Sequence, residues 1–135
     1  MIAVDTNVLI RFFIRDDEGQ YILAESLLQK TEDSGRKVFI SNIVLVELIW
    51  VLIGGYKVTK TDLIRTISFL LSNDLFQFSN RSVIRKALDK YRSGKADFAD
   101  YMIGCEGLQQ KAITTYTFDK RSGQDEAFTL LSKAA

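Results

Sequence analysis

The sequence predicts an α/β fold: one domain over residues 1–135, with a mostly parallel sheet of four or five strands flanked by helices on both faces. Three observations carry this. Short runs rich in β-branched and aromatic residues recur along the chain, segments of helical period separate them, and no proline, repeat or linker breaks the alternation. The first run is Ile2-Ala3-Val4, followed by an apolar, helix-like stretch from Val8 to Ile14. Leu23, Ala24, Leu27 and Leu28 mark one face of a second helix, closed by Lys30 to Gly35. Val38-Phe39-Ile40 reads as the second strand, after which Ser41 or Asn42 caps a helix to about Ile53, ended by Gly54-Gly55. Thr61 or Asp62 starts the next helix, presenting Leu63, Ile64, Ile67, Leu70 and Leu71. Leu75-Phe76-Gln77-Phe78 is the third strand, and Ile84, Ala87, Leu88 and Tyr91 mark a shorter helix. A further helix runs from about Asp97 to Gln110, and Ala112 to Tyr116 forms the fourth strand. Ala127 to Leu131 reads equally as a fifth strand or a helical turn.

With 135 residues, 47% hydrophobic and 26% charged, the chain fits one soluble globular domain with a core of its own. It contains no histidine, which excludes serine–histidine and cysteine–histidine catalysis and any imidazole metal site. A single cysteine, Cys105, cannot form an intrachain disulfide and reads as a small core residue. The net charge of +1 gives no general attraction to nucleic acid or membrane. Met1 to Ile14 lacks the basic start of a signal peptide and carries Asp5 and Arg11. No apolar run reaches a membrane-spanning length of about 18 residues, so the expected location is the cytoplasm.

The chemistry must come mainly from carboxylates, hydroxyls, amides and cations. Asp5 directly follows the first strand, where it reads either as a helix N-cap or as a site residue; the two roles are compatible. Glu47 is the one charged residue between Ser41 and Tyr56. A helix apolar on all sides is largely buried, so this carboxylate calls for a salt bridge or a metal. Asp97 and Asp100 open a helix three residues apart, a spacing that suits capping and the helix dipole as well as a shared face. Asp119 follows the fourth strand, where a turn role is the ordinary alternative. In a parallel sheet Asp5 and Asp119 fall on the binding edge, and helices bearing Glu47 and Asp100 could lean over it. Carboxylates gathered without histidine repel one another, and a hard divalent cation, Mg²⁺ or Mn²⁺, relieves that repulsion. Such an ion lowers the pKa of a water, orients a phosphate and stabilises a leaving oxygen, which outlines a phosphodiester-cleaving site.

At these residues the sequence resembles the PIN domain family, and within it the VapC-type ribonuclease toxins of prokaryotic toxin–antitoxin pairs. Four blocks carry the resemblance over nearly the whole chain: Ile2 to Ile10 with its Asp5-Thr6-Asn7, Ser41 to Leu48, Ala96 to Cys105, and Thr115 to Lys120. The resemblance implies a metal-dependent endoribonuclease acting on single-stranded regions of RNA. It matches Asp5, Glu47, Asp100 and Asp119 to the family's catalytic, metal-holding acids and Asp97 to an accessory one. Thr6 and Asn7 match residues that orient the first aspartate, and Thr117 matches the hydroxyl beside the last acid. Tyr101-Met102 departs from the small and apolar pair usual after the third acid. Arg11, Arg15, Lys95, Lys120 and Arg121 are candidates to meet RNA phosphates.

The resemblance further implies a homodimer silenced by a protein antitoxin. Its segment would lie in a groove for which the Val8–Ile14 helix and the Glu47 helix are candidates. An aspartyl-nucleophile phosphotransferase wants a second aspartate two residues after the first, where this chain has Asn7. A phosphoacceptor receiver wants paired acids at the first strand's end, where Ala3-Val4 offers none. The alternative from another class is a PIN-fold module that binds RNA or a partner without cutting.

Overall fold

The computed structural model describes residues 1–132. The chain divides into two compact units, one of residues 1–79 and one beginning at Asn80.

In the first unit, β1 (Ile2–Ala3), β2 (Val38–Ile40) and β3 (Phe76–Phe78) form a parallel sheet in that order. Ile2 pairs with Val38, and Val38 with Phe76. The crossover between β1 and β2 is made by α1 (Thr6–Phe13) and α2 (Glu18–Asp33). That between β2 and β3 is made by α3 (Asn42–Gly54) and α4 (Lys60–Ser72). α1 packs against both α2 and α3. Val38 and Ile40 alternate inward with Phe76 and Phe78, and with Leu9, Leu45, Leu48, Leu63 and Ile67 they are buried as the core. Phe12, Phe13 and Phe69 extend it as an aromatic cluster ending on Phe76.

In the second unit α5 (Arg81–Ser93) packs along α6 (Phe98–Gln109). β4 (Thr115–Thr117) and β5 (Phe128–Leu130) form a two-stranded parallel sheet, joined through a 3-10 turn at Ser122–Gln124. Ala127 to Leu131 therefore contributes a strand. α6 approaches β5 so closely that a Cβ on Gly104 would stand 2.6 Å from the Phe128 ring, which only glycine avoids. Lys90 and Asp125 form a largely buried ion pair at 2.9 Å, tying α5 to the segment before β5.

The α/β class and the parallel pairing agree with the sequence expectation, whereas the strands are divided three and two between separate sheets. Among the described residues no helix is long and apolar enough to cross a membrane.

Candidate active site

In the first unit Asp5 stands where a parallel strand delivers the chain into a helix, and Glu47 lies within the next such helix. Asp5 follows β1 and is the N-cap of α1: its backbone is extended and its Oδ1 accepts from the Val8 amide at 3.3 Å. The capping reading is thus realised, and the side chain stays exposed and outside any salt bridge among the described residues. Ser41 caps α3 in the same way after β2, accepting from the Val44 amide. α3 carries Glu47 one turn further along, and the Thr6 hydroxyl donates to Glu47 Oε1 at 3.1 Å. The resemblance implies that Thr6 orients Asp5; its hydrogen bond in the structure goes to Glu47. Asn7 is exposed and lines a groove of about 300 Å³ between α1 and α2 with Val8, Arg11, Gln20, Leu23, Ala24 and Leu27.

The burial inferred for α3 from its composition needs correction. Glu47 is exposed, and so are Ile43 (74%) and Trp50 (61%) on the same stripe of the helix. Leu45, Leu48, Ile49 and Leu52 face the core. One apolar face is internal and the other is open, so Glu47 is solvated and needs no arginine partner; none pairs with it among the described residues.

In the second unit Asp97, exposed and extended, is the N-cap residue of α6. Its amide donates to Asp100 Oδ2 at 3.2 Å, so Asp100 closes the first turn back on its start. The loop entering this turn is fixed by Tyr101, whose buried hydroxyl accepts from the Ala96 amide at 3.2 Å. Tyr101-Met102, the departure from the family pattern, is thus a buried anchor beneath the acidic turn. Burial pushes the Asp100 carboxyl above its ordinary range, the Asp97 amide opposes this, and the charges of Asp97 and Asp119 add to the rise. Asp119 is held in the opposite sense. Its Oδ1 accepts from the Arg121 amide at 3.0 Å and its Oδ2 from the Ser122 hydroxyl at 2.9 Å, and these bonds lower its pKa. The Asp119 amide in turn donates to Thr117 Oγ1 at 3.0 Å, so Thr117 fixes the backbone beside the acid.

Ser122 is a residue that sequence reasoning missed. It is 1% exposed, one of the few buried polar side chains, and its hydroxyl faces Asp119. The available signal was a small hydroxyl residue three positions after an exposed acid, followed by Gly123. The cations also sort themselves. Arg11 is paired with Asp16 at 2.9 Å and Arg15 with Glu18 at 2.6 Å. Lys95, Lys120 and Arg121 are exposed and in no salt bridge among the described residues. Cys105 is buried, and burial pushes its thiol pKa up, which suits an inert core residue.

The donor set is all oxygen, which fits a hard divalent cation. Asp97 and Asp119 both lie within electrostatic reach of Asp100, and among the described residues no cation forms a salt bridge to any of the three; a divalent ion would relieve that repulsion. Among the described residues no group of three acids is drawn to metal-binding distance.

Parallel strands crossed over by helices, with exposed or partly buried acids held by hydroxyls and amides in each unit and no imidazole present, define an α/β protein whose candidate chemistry rests on oxygen donors. A family model, the PIN domain, matches residues 2–127, and the chain belongs to that family. A VapC ribonuclease of Aquifex aeolicus (strain VF5) is 25% identical over 121 residues, covering 90% of this chain and 89% of the relative.

Proposed function

We propose that this protein is a divalent-metal-dependent endoribonuclease that cleaves single-stranded regions of RNA and serves as the toxin of a type II toxin–antitoxin pair. The observation that carries the reading is family membership over residues 2–127, a span that includes Asp5, Glu47, Asp97, Asp100 and Asp119. A relative named as a VapC ribonuclease supports the same activity. In the second unit the Arg121 amide and the Ser122 hydroxyl aim the Asp119 carboxylate, and burial raises the Asp100 carboxyl. The match runs through both compact units, which supports treating residues 1–135 as one PIN domain.

On this reading Asp5, Glu47, Asp100 and Asp119, with Asp97 as accessory, hold Mg²⁺ or Mn²⁺. The ion, when bound, supplies Lewis acidity for phosphodiester hydrolysis. The chain's own groups do the rest. Thr6 restrains Glu47, Ser122 and the Arg121 amide restrain Asp119, and Thr117 restrains the backbone between them and β4. On this reading the exposed Lys95, Lys120 and Arg121 meet phosphate oxygens. Water adds to phosphorus and the 3′ oxygen departs, leaving a 5′-phosphate and a 3′-hydroxyl. The action is cytoplasmic, where the RNA is.

The open stripe of α3 and the groove beside Asn7 support a protein partner, in this reading the antitoxin. A homodimer is expected of the same family and is read by light scattering on the purified chain. The deciding experiment incubates antitoxin-free protein with a mixed RNA pool in Mn²⁺, Mg²⁺ or EDTA, beside Asp5→Asn. Metal-dependent fragments with 5′-phosphate ends from the wild type alone support the proposal. RNA binding without cleavage or metal binding replaces it with a non-catalytic PIN module.

A further inference from the structure

Phe118 is 81% exposed, although a phenyl ring gains more from burial than almost any side chain. It pairs with no other ring among the described residues. Its backbone, in contrast, is held on both sides. The Thr117 carbonyl accepts from the Leu131 amide at 2.8 Å, and the Asp119 carbonyl accepts from the Gly123 amide at 2.9 Å. The Asp119 amide and carboxylate are fixed by Thr117, Arg121 and Ser122. A ring presented to solvent from so restrained a bend sits on a fixed backbone, so a planar ligand meeting it orders only the side chain.

The neighbours decide which ligand. Phe118 is followed by Asp119, the acid assigned to the reaction, and then by Lys120 and Arg121, exposed and outside any salt bridge among the described residues. Tyr116 and Leu131 are exposed near the ring, yet the three residues that follow it all carry charge, which a purely apolar protein partner would leave uncompensated. A π-face with cations within three residues, a reach of at most about 11 Å, matches the base and phosphates of a single nucleic acid strand.

Building on the nuclease reading, we propose that Phe118 is the stacking platform for the base adjoining the scissile phosphate, with Lys120 and Arg121 engaging the flanking phosphates. This makes Phe118 a determinant of substrate position and strand choice: an unstacked base in single-stranded RNA can reach the ring and one within a duplex cannot.

The test is equilibrium binding in EDTA of a single-stranded oligoribonucleotide carrying 2-aminopurine, whose fluorescence is quenched on stacking. Phe118→Ala and Phe118→Leu are expected to weaken binding about 5- to 150-fold, the loss of one base stack, and to abolish the quench, while Phe118→Trp retains both. An abasic nucleotide at the quenched position removes the difference between wild type and Phe118→Ala. Lys120→Gln flattens the slope of log affinity against log salt by about 0.7, one phosphate contact. Ile113→Ala, which deletes an apolar residue 97% exposed, leaves binding unchanged. Equal affinity and quench in wild type and Phe118→Ala, or no RNA binding by the wild type, overturns the proposal. Phe118-dependent binding without cleavage in any metal retains the platform and rejects the nuclease.

Discussion

The hydroxyl of Thr6 donates to Oε1 of Glu47 across 3.1 Å, so the residue next to Asp5 restrains the carboxylate that α3 presents. The bond is solvent-exposed, and its net contribution to folding is at most about 1 kcal/mol. Its consequence is for geometry. Thr6→Val is expected to lower kcat/KM about 10- to 100-fold, the usual cost of losing a group that orients a metal-holding side chain, with Tm nearly unchanged. Thr6→Ser restores activity. Paired kinetics and melting curves check this; a fall in Tm matching the fall in activity defeats it.

Asp100 gives a prediction in which stability and activity move oppositely. Its carboxyl is raised by burial and by the charges of Asp97 and Asp119, so the folded state binds its proton more tightly than the unfolded chain. That contribution is fully present below the ordinary carboxylate range and is lost as pH rises through the raised pKa. At pH 7 the wild type therefore carries the penalty of the charge. Asp100→Asn removes the charge and keeps an oxygen to accept from the Asp97 amide. In EDTA at pH 7 the variant melts above the wild type, with the gap closing near pH 3. Saturating Mn²⁺ raises the wild-type Tm and leaves the variant's alone, and cleavage is absent in the variant.

Val38-Phe39-Ile40 was legible residue for residue, because a β-branched and aromatic run bounded by polar residues has few other uses. The start of β4 was not. Ala112 and Ile113 look like strand, yet Lys111 turns the chain at φ 67 and the ladder begins only at Thr115, whose partner is the distant Phe128. Thr59 caps α4 instead of Thr61 or Asp62, a choice made by which oxygen reaches the Asp62 amide. The placement of Asp5 and Asp119 just past strands was legible because short β-branched and aromatic runs mark the strand ends. The exposure of Glu47 was not, since an apolar helix face reads the same whether it meets a core or a partner. Ser122 escaped because its role depends on a side-chain bond that no spacing announces.

That bond is testable by itself. Ser122→Ala deletes the donor to Asp119 Oδ2 and leaves the amide bond to Oδ1. The Asp119 pKa, now lowered by both, moves back toward the ordinary carboxylate value. The stability that a depressed carboxylate contributes is present above its unfolded pKa and lost as pH falls through its folded one, so the variant loses stability at a higher pH on acidification than the wild type. The apparent Mn²⁺ constant for cleavage rises about 10- to 100-fold. Acid titration of melting temperature and metal titration of activity test this; wild-type values in both rule out a positioning role for Ser122.

Tyr101 and Gly94 form one device beneath the acidic turn of α6. The Tyr101 hydroxyl accepts from the Ala96 amide at 3.2 Å, and a Cβ on Gly94 would collide with that hydroxyl and stand 2.8 Å from the Lys90 carbonyl. Tyr101→Phe leaves the buried Ala96 amide without its acceptor and should cost about 1–3 kcal/mol. Gly94→Ala forces the loop away from the ring at about 1–3 kcal/mol. The two are not independent. Removing the hydroxyl relieves part of the collision, although the ring carbon that bore it would remain 2.6 Å from the new Cβ. The double variant is therefore expected to be less destabilised than the summed singles, by about 0.5–2 kcal/mol in a urea cycle. Both singles shift the loop that delivers Asp97 and Asp100, so kcat falls about 10-fold or more in each. Strict additivity of the two free energies would show that the hydroxyl and the glycine act on the turn separately.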